Sequence, residues 1–84
     1  MEQFLTNYIE AELREVGEDV DLETDDDLVL IGFDSVAYVR LVAHLKQEFG
    51  VRVPDSDVTV ENFGTVAAIA RYLESRDVAV GDKA

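Results

Sequence analysis

"LVLIGFDSVAYV", residues 28–39, runs four apolar residues into Gly32-Phe33-Asp34-Ser35 and straight out into a second apolar segment. A glycine, an acid and a serine between two apolar stretches mark a turn that opens a helix, with Gly32 giving the turn and Ser35 in the position of an N-cap. The four apolar residues before the turn are expected to pin the end of a loop into the core, fixing where the helix starts.

Downstream, residues 36–49 contain no Gly or Pro. Val36, Val39, Val42, Ala43 and Phe49 fall near one helical stripe, with Tyr38, Leu41 and Leu45 beside it, which predicts a helix buried on a broad face. Gly50 stops it. Upstream, residues 2–16 place Phe4, Leu5, Tyr8, Ile9, Leu13 and Val16 at three- and four-residue steps, and Gly17 closes this first amphipathic helix. Residues 18–27 carry seven carboxylates in ten positions, with Val20 and Leu22 as the apolar anchors, and read as a long loop. Pro54 with Asp55, Ser56 and Asp57 marks a turn and a short third helix. The competing reading makes strands of Val51-Arg52-Val53 and Val58-Thr59-Val60, but each is short and Pro54 interrupts them. Residues 65–75 repeat the helical pattern through Val66, Ile69, Ala70 and Leu73, with Thr65 or Gly64 as N-cap. The sum is an all-α four-helix bundle over residues 1–76, three main helices and a short third one, with a long loop between the first two. A frayed tail is expected over 77–84.

With 84 residues the chain makes one domain, near the size where one core only just suffices. It has no cysteine, which excludes disulfides, thiolate metal sites and a cysteine nucleophile. Nineteen acids against seven bases give a net charge of −12, which repels phosphate backbones and anionic membranes and favours basic protein patches. The apolar runs fall far short of the ~20 residues of a membrane span, and the acidic start is unlike a signal peptide. These features predict a cytoplasmic monomer that binds neither nucleic acid nor membrane.

Intrinsic chemistry finds little support. The acidic loop fails the calcium-loop template: counted from Asp19, the required glycine and glutamate positions hold Thr24 and Leu30, and counted from Asp21 they hold Asp26 and Gly32. His44 is the only histidine, and nine helical residues beyond Ser35 it lies about 900° around the helix, on the opposite face. Phe33 occupies the position where a nucleophile elbow needs a small residue. Ser35 therefore reads as a residue acted upon. At a helix N-terminus, free N–H groups and the positive end of the macrodipole favour an attached phosphate.

These residues resemble the carrier protein family, the acyl and peptidyl carriers of fatty acid, polyketide and nonribosomal peptide synthesis. "GFDS" is similar to the family's Gly-x-Asp-Ser, "EFGVRVPDSD" to its Phe-Gly-(Ile/Val)-x-(Ile/Val)-Pro-(Asp/Glu) turn, and "NFGTVAAIARYLES" to the opening of its final helix. The resemblance implies that Ser35 accepts 4′-phosphopantetheine from coenzyme A through a phosphopantetheinyl transferase, with Asp34 as the flanking recognition residue. It implies that this free-standing chain, itself no enzyme, carries thioesters between acyltransferase, ketosynthase or adenylation-type loading enzymes. Asp34 and the acidity lean towards an acyl cargo of polyketide or fatty acid type. An aminoacyl or peptidyl cargo is the alternative, and an unmodified helical interaction module is the alternative of another class.

Two departures from the family bear on partners. Val36 stands where most members have Leu or Met. The second helix, acidic in fatty acid carriers, here carries Arg40, Lys46 and Glu48. Docking is therefore expected to involve Val36, Tyr38, Val39, Arg40, Asp55 and Asp57, outside a purely acidic second helix. Ala43, Ala67, Ala68 and Ala70 are expected to serve close helix packing.

Overall fold

The computed structural model describes residues 1–76. Its helices are α1 (Glu2–Glu15), α2 (Ser35–Phe49), α3 (Val60–Phe63) and α4 (Val66–Ser75), with a 3-10 turn at Asp55–Asp57 between α2 and α3. Among the described residues there is no strand. The tail expected over 77–84 lies outside them.

Helix α1 buries Leu5, Ile9 and Leu13, a stripe at four-residue steps, while Phe4 and Tyr8 flank it half-buried. Val16 was expected on that stripe and is 69% exposed, because the helix ends at Glu15 and the chain turns away. The Glu18 N–H donates to the Leu13 carbonyl at 2.8 Å, and Gly17 N–H to that of Arg14 at 3.1 Å, so the ending uses the last orphan carbonyls.

The long acidic loop is tied down by its own backbone. Leu22 N–H donates to the Glu10 carboxylate at 2.8 Å, the Thr24 carbonyl accepts from Ala67 N–H at 2.9 Å, and Leu28 N–H donates to the Gly64 carbonyl at 2.9 Å. Leu22, Leu28 and Phe33 are the side chains it buries. The loop therefore runs across the start of α4. The expectation that residues 28–31 enter the core together is corrected: Leu28 is buried, but Val29 is 57% and Leu30 82% exposed. Asp27 causes the difference. Its carboxylate accepts from Val29 N–H at 3.1 Å and from Leu30 N–H at 3.3 Å, folding this segment into a turn that sends successive side chains in different directions.

Helix α2 packs through Leu41 and Leu45, both fully buried. Of the expected stripe, Val36, Val39 and Ala43 face solvent, with Val36 60% and Val39 69% exposed, while Val42 and Phe49 are half-buried against the core, so the broadly buried face is corrected to a narrower one. The helix has two apolar faces, and the core took the one with the larger side chains.

Val51 and Val53 are buried and Arg52 is exposed, so the alternation in this segment is real although no strand pairs with it. The short helix foreseen around residues 55–57 is a single 3-10 turn, and α3 follows it at Val60–Phe63. Thr59 caps α3 by accepting from Asn62 N–H, and Thr65 caps α4 by accepting from Ala68 N–H. Gly64 joins the two helices. A Cβ there would lie 2.5 Å from the Val60 carbonyl oxygen. Helix α4 buries Val66, Ile69, Ala70 and Leu73, as its spacing predicts, together with Ala68. Ala43 packs on nothing comparable and is exposed.

Candidate functional site

The site forms where the loop delivers the chain to α2. Gly32, at φ 108°, occupies a conformation that side chains other than glycine adopt only under strain, and Phe33 behind it is fully buried. Phe33 N–H closes the turn onto the Leu28 carbonyl at 2.9 Å. The next two residues are thereby held at the surface.

Asp34, not Ser35, caps the helix. Its backbone is extended, and its carboxylate accepts from Ala37 N–H at 3.0 Å. Ser35 is the first helical residue and is exposed. An acid in the capping position also interacts favourably with the helix dipole. The serine hydroxyl is thus relieved of a capping duty and left accessible at the positive end of a 15-residue helix.

Two grooves meet at Tyr38, and Ser35 lines one of them. The larger, an open groove of about 480 Å³, runs between α2 and the 3-10 turn and is lined by Ser35, Tyr38, Val39, Val42, Asp55 and Val58. A smaller one of about 230 Å³ lies on the other side of Tyr38, walled by Val29, Leu30, Val60 and Phe63. Tyr38 and Val58 belong to both. The Tyr38 hydroxyl donates to the Phe63 carbonyl at 2.5 Å. Its ring stands edge-on to Phe33, with centroids 4.7 Å apart. Burial, and secondarily the Asp27 carboxylate, push the Tyr38 hydroxyl up to about 12, because both disfavour the phenolate.

Of the residues singled out from the sequence, Ser35, Tyr38, Val39 and Asp55 come together at the larger groove. Val36 and Arg40 do not. They line a separate groove of about 280 Å³ between α1 and α2, where the Arg40 guanidinium pairs with Glu12 at 3.3 Å. Asp57 is engaged inside the molecule. Its carboxylate accepts from the Tyr72 hydroxyl at 2.6 Å and lies 3.7 Å from the Arg76 guanidinium. Burial, then the hydrogen bond to Asp57, raise the Tyr72 hydroxyl above its ordinary value. Sequence reasoning missed Val29, Leu30 and Val60 as exposed apolar residues and the half-buried Val58 as a wall shared by both grooves. For Val29 and Leu30 the signal was Asp27, a turn-forming acid placed just before an apolar run.

The arrangement keeps the one histidine away from Ser35. His44 lies on the opposite side of α2, stacked on Tyr8 of α1 with centroids 4.5 Å apart. Among the described residues no cluster of His, Cys, Asp or Glu could hold a metal ion, and no helix is long and apolar enough to cross a membrane.

A family model for the phosphopantetheine attachment site matches residues 3–73, so the chain belongs to the phosphopantetheine-binding carrier proteins. This family holds 4′-phosphopantetheine covalently and is not itself catalytic.

Solved structures share the fold. A chain from Bradyrhizobium japonicum glycine:[carrier protein] ligase complexed with its cognate carrier protein and an analogue of glycyl adenylate has a TM-score of 0.72 at 24% identity, over 88% of this chain and 96% of that one. A chain from the same ligase complexed with glycylated carrier protein has a TM-score of 0.68 at 26% identity, over 83% and 95%. A chain from a crystal structure of an FAD-dependent dehydrogenase has a TM-score of 0.71 at 33% identity, over 82% and 97%. The site fits the group the family carries: an exposed hydroxyl stands at a helix N-terminus, and an apolar groove runs away from it.

Proposed function

We propose that Ser35 bears the 4′-phosphopantetheine arm and that the protein presents a carboxylic acid, bound to the arm as a thioester, to partner enzymes in the cytoplasm. The observation that carries this is the division of labour between neighbours: Asp34 caps α2 and leaves the Ser35 hydroxyl free and exposed beside the groove. In the modification the Ser35 oxygen attacks the phosphorus of coenzyme A that bears the pantetheine. The bond from that phosphorus to its bridging oxygen breaks, and adenosine 3′,5′-bisphosphate leaves with the electron pair. The serine proton goes to a base on the transferase, since the one histidine of this chain lies on the opposite side of α2. Once attached, the arm supplies a thiol that a chain without cysteine otherwise lacks.

The first assignment of cargo is an acyl group of polyketide or fatty acid type, supported by Asp34 and by the net charge of −12. A second, an amino acid, is favoured by the likeness to structures of a glycine:[carrier protein] ligase bound to carrier proteins, one of them glycylated. In either case an adenylate-forming enzyme is a suitable loading partner. Tyr38, Val39 and Asp55, which share the groove with Ser35, and Val36 and Arg40 on the neighbouring groove supply surface for such partners.

The test is intact mass. Incubation with coenzyme A, magnesium and a broad-specificity transferase should add one phosphopantetheinyl group to the wild type and none to Ser35→Ala. No gain on the wild type, or a gain that survives the substitution, overturns the assignment. The mass of the cargo on protein isolated from its native cells then separates acyl from aminoacyl.

A further inference from the structure

The position of Tyr38 between the two grooves bears on which cargoes the protein can shelter. Ser35 and Tyr38 are three residues apart on α2 and therefore lie on one face, so whatever hangs from Ser35 along the larger groove meets the Tyr38 ring. The route between α2 and α3 is closed at that point. The Tyr38 hydroxyl is latched to the Phe63 carbonyl, and the ring stands edge-on to Phe33 and to Phe63, with centroids 4.7 and 6.3 Å away. Behind it Phe33 and Phe63 are 0% and 1% exposed. On its far side lies the smaller apolar groove of Val29, Leu30 and Val60.

We infer that Tyr38 is a specificity-determining residue, a partition that keeps the two grooves separate and bars an extended apolar cargo from the space between α2 and α3. The inference rests on attachment at Ser35. With the partition closed, the larger groove is an open trough in which a long chain stays in contact with water. With the ring removed, the two grooves become one deeper channel floored by Phe33 and Phe63. The protein is thereby fitted to short cargo, whose thioester it leaves accessible to partners and to solvent alike.

The experiment loads the wild type, Tyr38→Phe and Tyr38→Ala with acetyl- or octanoyl-phosphopantetheine, using the corresponding acyl-coenzyme A and a broad-specificity transferase. Each thioester is then cleaved with hydroxylamine, whose nitrogen attacks the carbonyl and releases the thiol. On the wild type the two cargoes should be cleaved at rates within about twofold of each other, since neither is sheltered. On Tyr38→Ala the octanoyl thioester alone should slow, by about fivefold or more, with Tyr38→Phe between the two. Octanoyl protection of that size on the wild type overturns the inference, as does a folded Tyr38→Ala without protection. If Tyr38→Ala fails to fold by circular dichroism, the wild-type ratio alone decides. No mass gain on the wild type defeats attachment at Ser35 and takes this inference with it, so the two failures are told apart before any cleavage is measured.

Discussion

The Tyr38 hydroxyl on α2 reaches the main-chain carbonyl of Phe63 at the end of α3, 2.5 Å away, and so joins the helix that opens with Ser35 to the short helix across the groove. Phe63 is buried, so that carbonyl has little water to fall back on.

Replacing Tyr38 with Phe should therefore destabilise the fold by about 1–2 kcal/mol, read by urea unfolding at neutral pH. The substitution should also change the pH profile. The Tyr38 hydroxyl is raised from 10.0 to about 12 in the folded chain, so its contribution is whole below pH 10 and is lost as the pH climbs from 10 to 12. The stability difference between wild type and Tyr38→Phe should shrink across that window. A difference constant up to pH 12 would mean that the hydroxyl does not hold its proton through the latch.

Leu41 and Val39 lie on different faces of α2, fully buried and 69% exposed respectively. Leu41→Ala should cost about 2–5 kcal/mol in unfolding free energy. Val39→Ala should stay within about 0.5 kcal/mol of wild type while changing transfer to a partner enzyme that reads the groove. Equal losses at both positions would show that the Val39 face is packed as well as the Leu41 face.

Asp34→Ala removes the cap of α2 and should cost about 1 kcal/mol, measured by thermal unfolding. Ser35→Ala, one residue on, should be nearly neutral in stability and abolish the mass gain from the transferase. The reverse pattern would return the capping role to the serine.

Arg40→Glu sets two acids against each other where the Arg40–Glu12 pair now stands at 3.3 Å. The pair is exposed on the arginine side, so the change should cost no more than about 1 kcal/mol. Transfer with the native partner should change in a manner that fades as salt is raised towards roughly 1 M. Rates identical to wild type at every salt concentration would remove Arg40 from the docking surface.

The helices were legible because their signals are local. Leu5, Ile9 and Leu13 of α1, and Val66, Ile69 and Leu73 of α4, each repeat at helical spacing on a single apolar face, so the periodicity names both the element and its buried side. The start of α2 at Ser35 was legible for a similar reason, in the order of Gly32, Asp34 and Ser35 before an unbroken helix. What the residues could not disclose was any choice between near-equal local options. Asp34 and Ser35 are both good caps, and which one bonds Ala37 N–H depends on how the Gly32 turn delivers the chain. Helix α2 has two apolar faces, and burial selected Leu41 and Leu45 over Val36 and Val39 only when α2 met the rest of the bundle. The acidic loop shows no periodicity, because its order comes from backbone bonds to residues about forty positions away, Thr24 to Ala67 and Leu28 to Gly64. Sequence alone thus determined an all-helical carrier with an exposed serine. Tertiary structure decided which valines face solvent and where Tyr38 divides the groove, because those outcomes depend on contacts between elements distant in the chain.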